Sequence, residues 1–319
     1  MNPPDQFKPI FGLKRGPSID FLVFAQYLVY QQGHTLSNSS EFQVLCRSLL
    51  NPWQFLAAGI VEEDPFWAMG LSLHSGQPIH IQALEEISRR YHISEEELIC
   101  PRDFPLHWET AARLRLQGTR PRRLHHPNAG KHMLFLASCA HHDYDRHSYW
   151  SPSHPIQKKL FSIVGKEVKS PIQSVTDHCG LPTFYMSASQ LCQMWQNLAL
   201  SQQPNVHALK QLWLRNPLLI GGSGRLDHEL TSVCSGHALV KEGADGLLLL
   251  QTITAKDEPQ TTILIKLASG FHKTHLGLAL KTILDKMPGK PEVLLQLCQY
   301  LAQKSQDWMD SSTQCIPFI

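Results

Sequence analysis

The stretch from Asn128 to Asp145, NAGKHMLFLASCAHHDYD, holds a dense group of side chains able to do chemistry. Lys131 and His132 stand at the head of its apolar block, where a buried helix would start. An amine or imidazole buried there is costly unless it is paired or its pKa is tuned, as general acid–base work requires. Beyond the block, His141, His142, Asp143, Asp145 and His147 carry metal-ligand side chains. Tyr144 and Arg146 interrupt them, their spacing matches no zinc ligand set, and the stretch reads as a wet loop.

Three further positions have reactive side chains in suggestive places. Lys266 lies in TTILIKLASG, where a strand would turn Ile263, Ile265 and Leu267 to one face and Thr262, Leu264 and Lys266 to the other. Such a lysine either has a lowered pKa, as a general base needs, or sits on the wet face of an edge strand. Ser48, in CRSLLNPWQFLAAG, is either a helix cap or a nucleophile, and no base stands at Asn51. In SVTDHCGLPTF, Asp177, His178 and Cys179 precede a Gly-x-Pro turn, which either holds a polar substrate or simply reverses the chain.

The elements that must position these groups are partly legible. FLVFAQYLVY (21–30) is rich in strand formers and is followed by the turn-like QQGH. Apolar residues at 81, 84, 87 and 91 predict a helix face, and Ser94 with Glu97 predicts a capping box opening a short acidic helix. A second box, Ser187 with Gln190, precedes the series Leu191, Met194, Trp195 and Leu198 of an amphipathic helix. Segments 246–253 and 261–268 read as strands joined by the polar AKDEPQ, with a helix over 274–287. Strands and helices mix without strict alternation, which predicts an α+β fold.

Composition removes several classes of function. The chain of 319 residues is 42% hydrophobic and 18% charged, with net charge +2, so no global field favours nucleic acid or a membrane surface. The basic run Arg113 to Arg123 reads as solvated surface. Eight cysteines form no CxxC pair and favour free thiols in a reducing compartment; no run is long enough to span a bilayer, and a cytoplasmic location is expected.

Read in order, several segments resemble the third class of bacterial L-asparaginase, the Ser–Lys type. KRGPSID comes first, and CRSLLNPWQ stands where that family has an Arg-Ser-x-x-Lys-Pro-x-Gln helix start. LSLHSGQ is similar to its Ala-Ser-His-Ser, NAGKHMLFLA to its Cys-Ser-Gly-Lys-His helix start and SPSHPIQKKL to its Asp-His-Pro-x-Gln. TDHCGLPTF is similar to its Thr-Asp-Gly-Cys-x-x-Pro-Thr loop, and NPLLIGGSGRLD, VKEGADGLLLL and ILIKLASG complete the series. The resemblance implies an α/β sandwich related to serine β-lactamases and glutaminases, a single domain over 1–319, a homodimer and a small-molecule amide substrate.

Carried over by position, Ser48 corresponds to the nucleophile and Lys266 to a strand lysine acting as base. Lys131 and Cys179 correspond to two ligands of a zinc ion near the substrate, and Arg47, His74, Ser75, Asn128, Lys131, His132 and Asp177 form the substrate side. Three positions depart from the pattern: Asn51 replaces the first lysine, Leu73 the second serine, and Asn128 the first zinc cysteine. The expected function is therefore an amide or acyl reaction on a substrate other than free asparagine, in specialised metabolism, with no cofactor expected and zinc only weakly supported. Ordinary asparaginase or glutaminase activity and a non-catalytic ligand-binding or structural role remain the alternatives.

Overall fold

The computed structural model describes residues 7–14, 21–31, 34–39, 41–60, 64–254, 259–270, 273–309 and 314–317. All but the first residue of KRGPSID, most of AKDEPQ and the middle of QQGH lie outside the described residues. In chain order the strands are β1 (Lys8–Lys14), β2 (Phe21–Gln31), β3 (His34–Ser37), β4 (Gln43–Leu45), β5 (Gln173–Thr176), β6 (Pro182–Ser187), β7 (Ala238–Gly243), β8 (Leu247–Thr252), β9 (Thr261–Leu267) and β10 (Gln314–Pro317). The helices are α1 (Asn51–Ala58), α2 (Pro78–Tyr91), α3 (Trp108–Leu116), α4 (Ala129–His142), α5 (Pro155–Val168), α6 (Ala188–Leu200), α7 (Pro204–Arg215), α8 (Pro217–Ile220), α9 (Leu226–Val233), α10 (Lys273–Lys286) and α11 (Glu292–Trp308). Antiparallel strands and helices thus mix as an α+β fold. Two compact units emerge: one of Met1–Val44, Ser187–Leu200 and Glu229–Ile319, the other of Leu45–Met186 and Ser201–His228.

The first unit is built on an antiparallel sheet of order β10-β1-β2-β9-β8-β7, with β3 also paired to β2. β7 and β8 are buried along their whole length, so the leucine run Leu247 to Leu250 serves both faces instead of alternating with polar residues. α6 packs on β2, β8 and β9, α10 on β1 and β9, and α11 on α10. The expected capping box opens α6: the Ser187 hydroxyl accepts from the Gln190 amide at 3.2 Å, and Gln190 Oε1 accepts from the Ser187 amide at 3.0 Å. Of the two alternatives for Lys266, the edge strand falls, because Lys266 pairs in register with Gln26 of β2 on one side and Leu247 of β8 on the other. Lys266 is half-buried, and its ammonium donates to the carbonyl of Asp245 in the turn between β7 and β8.

The second unit is mostly helical and is organised around α4, which packs on the 3-10 turn Pro65–Leu71 and on α1 and α2. Met133, Leu134, Phe135 and Leu136 of α4 are fully buried. Close approach to that turn needs a glycine at Gly130, where a Cβ would lie 1.9 Å from the Met69 carbonyl oxygen. The helix expected from residue 81 begins earlier, at Pro78, whose missing N–H suits a first helical position. The Ser94–Glu97 box is present, but it closes one 3-10 turn, Glu95–Glu97, rather than an α-helix. β5 and β6 pair antiparallel, with Val175 opposite Thr183.

The basic run is balanced by acids. Arg122 pairs with Glu85 at 3.1 Å and Glu95 at 2.9 Å, and Arg123 with Glu96 at 3.7 Å. His141, Asp143, Asp145 and His147 are exposed, Asp143 ends α4 in the left-handed conformation, and Asp145 caps the next turn through the His147 amide at 3.0 Å. Among the described residues no helix is long and apolar enough to cross a membrane, and no group of three or more His, Cys, Asp or Glu side chains is set to hold a metal ion.

Candidate active site

Four segments of the second unit carry most of the residues singled out in the sequence, and hydrogen bonds and an ion pair link them in turn. Ser48 is the second residue of the 3-10 turn Arg47–Leu50, 1% exposed, and is not the cap of α1, which starts at Asn51. Arg47, immediately before it, has φ +45°, a left-handed backbone that residues other than glycine adopt at a cost and that clusters at functional sites. Two bonds hold the turn: the Cys46 amide to the Phe184 carbonyl at 2.9 Å, and the Arg47 amide to Thr183 Oγ1 at 2.8 Å.

From this turn the series runs to the loop carrying His74. Asn51 Nδ2 donates to the Ser72 carbonyl at 2.7 Å, while Ser72 Oγ donates to the Met69 carbonyl at 2.7 Å. Leu73 is buried at 7% exposure, and Ser75 Oγ donates to Gln77 Oε1 at 3.2 Å. The His74 amide then donates to the Pro127 carbonyl at 3.1 Å, which leads to Asn128 and the head of α4. There Lys131 and His132 are 1% and 0% exposed. Tyr149 Oη accepts from the Ile99 amide at 3.0 Å and lies 2.7 Å from His132 Nδ1. In the tautomer with its hydrogen on Nε2, His132 accepts the phenol hydrogen at Nδ1 while Oη accepts the Ile99 amide, and both bonds are satisfied.

Beside the head of α4, His126 Nδ1 accepts from the Asn128 amide at 3.2 Å. Asp177 Oδ1 lies 3.4 Å from Arg47 Nε, returning to the Ser48 turn, and Cys179 Sγ donates to Asp177 Oδ2 at 3.9 Å. Arg47, Ser48, His74, Ser75, Asn128, Lys131, His132, Asp177 and Cys179 therefore share one unit, whereas Lys266 belongs to the other.

The electrostatics of the ring keep its histidines neutral. Burial pushes His126 down to about 4, with Lys131 and His178 adding to the effect. His132 falls well below the ordinary imidazole range through burial, then Lys131. His74, stacked on His80 with centroids 5.2 Å apart, is lowered by burial and by the His80, His126, His125 and Arg225 charges. Among the described residues, the buried atoms without a hydrogen-bond partner include Asn51 Oδ1, His74 Nε2, Asn128 Oδ1 and His132 Nε2. Buried polar atoms are nearly always paired, so these four are free to meet a ligand. His126 and Tyr149 are the members that the sequence reading missed. The dipeptide His125-His126 just before Asn128 was a signal for the first; nothing local pointed to the second.

The zinc ion implied by the resemblance would draw on Asn128, Lys131 and Cys179. A neutral amide oxygen beside one thiol and one amine is a poor set for an ion that favours thiolate, imidazole and carboxylate. No third such side chain joins them among the described residues, and the ring does not fit zinc. The Cys179 thiol is engaged with Asp177 instead.

Residues 22–313 match the family model described as L-asparaginase II, and no curated protein matches the chain. That match covers most of the sequence, and the chain therefore belongs to the L-asparaginase II family of hydrolases.

Proposed function

We propose that the protein is an amidohydrolase of asparaginase descent acting on an amide other than free asparagine, with Ser48 as the nucleophile. The observation that carries this is four buried atoms of the same unit as Ser48 with no hydrogen-bond partner among the described residues, two carbonyl-type oxygens and two imidazole nitrogens. An amide substrate complements that set, since its N–H groups meet Asn51 Oδ1 and Asn128 Oδ1 and its carbonyl meets the His132 Nε2–H. In the reaction, Ser48 Oγ bonds to the amide carbonyl carbon and its proton passes to a base. The C–N bond breaks, the amine departs with that proton, and water then cleaves the acyl-serine. His132, neutral and oriented by Tyr149, polarises the carbonyl, and the Arg47–Asp177 pair fixes the Ser48 turn. Lys266 is kept as the base on the resemblance alone, and no step needs zinc.

The finer reading of the fold as a serine β-lactamase/glutaminase-like sandwich is supported by the antiparallel sheet with α6, α10 and α11 packed in the same unit, and the homodimer rests on the resemblance alone. The test is release of ammonia or amine from asparagine, glutamine and larger primary amides, beside Ser48→Ala and Lys266→Ala. Release from a larger amide that both variants abolish supports the proposal. Release from asparagine alone returns the protein to ordinary asparaginase activity. No release from any amide leaves the ring as a binding site and refutes the catalytic reading.

A further inference from the structure

A cavity of about 590 Å³ opens in the second unit beside the Asp177–Gly180 turn, within the size range of small-molecule sites. Trp150 forms part of its wall and is 42% exposed, unlike Trp53, Trp67, Trp195 and Trp213, which are buried. Ile99, Val175 and Pro182 add apolar surface. Ser174 and Thr176 bring hydroxyls that make no hydrogen bond among the described residues, and they lie on β5, which is paired only with β6 there. The cavity therefore offers an aromatic face, apolar walls and polar groups along one open strand edge.

The same cavity adjoins the ring at two points. Thr176 and Gly180, both in its wall, bracket Asp177 and Cys179, and the Gly180 amide donates to the Asp177 carbonyl at 2.8 Å. Ile99, also in the wall, donates its amide to the phenol oxygen that orients His132. At Gly180 (φ +90°) a Cβ would come within 2.6 Å of Ile99 Cδ1, so only glycine leaves that wall where it stands. Free asparagine is too small and too polar to use such a space.

We propose that this cavity binds the flat, apolar part of an amide substrate, stacked on Trp150, and so sets the specificity of the enzyme. The inference rests on the amidohydrolase reading for its reaction, but the binding itself does not depend on turnover. The probes are phenylacetamide and acetamide, titrated calorimetrically into the full-length Ser48→Ala protein. Phenylacetamide is expected to bind at least about tenfold more tightly than acetamide, as aromatic stacking and added apolar burial require. Trp150→Ala and Val175→Asp should each remove that advantage, and Trp150→Phe should keep most of it. Equal binding of the two amides, or a folded Trp150→Ala or Val175→Asp protein that keeps the advantage, overturns the proposal. The two readings fail separately: phenylacetamide bound through Trp150 but never cleaved sinks the amidohydrolase and keeps the cavity. Ser48-dependent release from another amide, with no Trp150-dependent binding, does the reverse.

Discussion

Replacing Tyr149 by Phe removes one oxygen atom and disconnects two elements of the ring. Tyr149 is 1% exposed, and its Oη holds both the Ile99 amide at 3.0 Å and His132 Nδ1 at 2.7 Å. Phe fills the same volume, so no cavity opens, and the loss comes from partners left without a bond. A buried donor or acceptor orphaned in this way costs about 1–3 kcal/mol. His132 is fully buried and takes the upper part of that range, whereas Ile99 is half-buried and takes the lower part. The expected destabilisation is about 3 kcal/mol in urea unfolding with the slope unchanged. Two local readouts accompany it. Exchange of the Ile99 amide hydrogen should accelerate more than tenfold, and the ¹⁵N shifts of His132 should change from a pure Nε2–H tautomer to a mixture. A variant within 0.5 kcal/mol of the parent, with Ile99 still protected and the tautomer unchanged, would show that Tyr149 does not orient His132 (the threshold being the usual scatter of neutral substitutions).

Two other perturbations test the same architecture. Gly130→Ala drives a Cβ to 1.9 Å from the Met69 carbonyl, which already accepts the Ser72 amide at 3.1 Å and the Ser72 hydroxyl at 2.7 Å. The expected loss is about 3 kcal/mol, the upper range for an overpacked core, and a melting temperature equal to the parent's would refute the close-approach argument. Acid should also destabilise the second unit, because burial depresses His80 and His126 to about 4 from an ordinary imidazole value of 6.5. Between those limits the unfolded chain binds protons that the folded one does not, so stability is full above pH 6.5 and falls down to pH 4, by about 3 kcal/mol for each residue. His126→Gln should flatten that fall, and a stability profile level from pH 7 to 4.5 would remove the argument.

Much of the framework was legible because its signals are local. The Ser187–Gln190 box, the leucine-rich strand at 247–250 and the start of α4 at Asn128 each depend on residues within one or two turns of each other. Lys266 stayed open between a buried lysine and an edge strand because strand periodicity reports faces and not neighbours, and its partners lie far away in sequence on β2 and β8. The ring was legible only as scattered motifs. Its assembly depends on Asn51 reaching Ser72, His74 reaching Pro127, and Asp177 reaching Arg47, contacts that no periodicity encodes. Tyr149 could not have been chosen in advance, since an isolated Tyr before Trp150 has the same local pattern whether or not a histidine waits for its hydroxyl.

The three departures from the Ser–Lys pattern occupy one place. Asn51 donates to the carbonyl of Ser72, which precedes Leu73; His74, which follows Leu73, donates to the carbonyl of Pro127, which precedes Asn128. Two hydrogen bonds thus link all three positions, and a change at one alters the surroundings of the others. At position 51 the amide keeps a donor for the Ser72 carbonyl, so the scaffolding part of the position survives while the titratable amine is gone. In that amine's place stands an acceptor, Asn51 Oδ1, and Asn128 adds a second one, both buried and without a hydrogen-bond partner among the described residues. Relative to the pattern that the sequence resembles, two neutral acceptors and Leu73 stand where a lysine, a cysteine and a serine would be, a lining that suits the neutral, partly apolar amide of the proposed function.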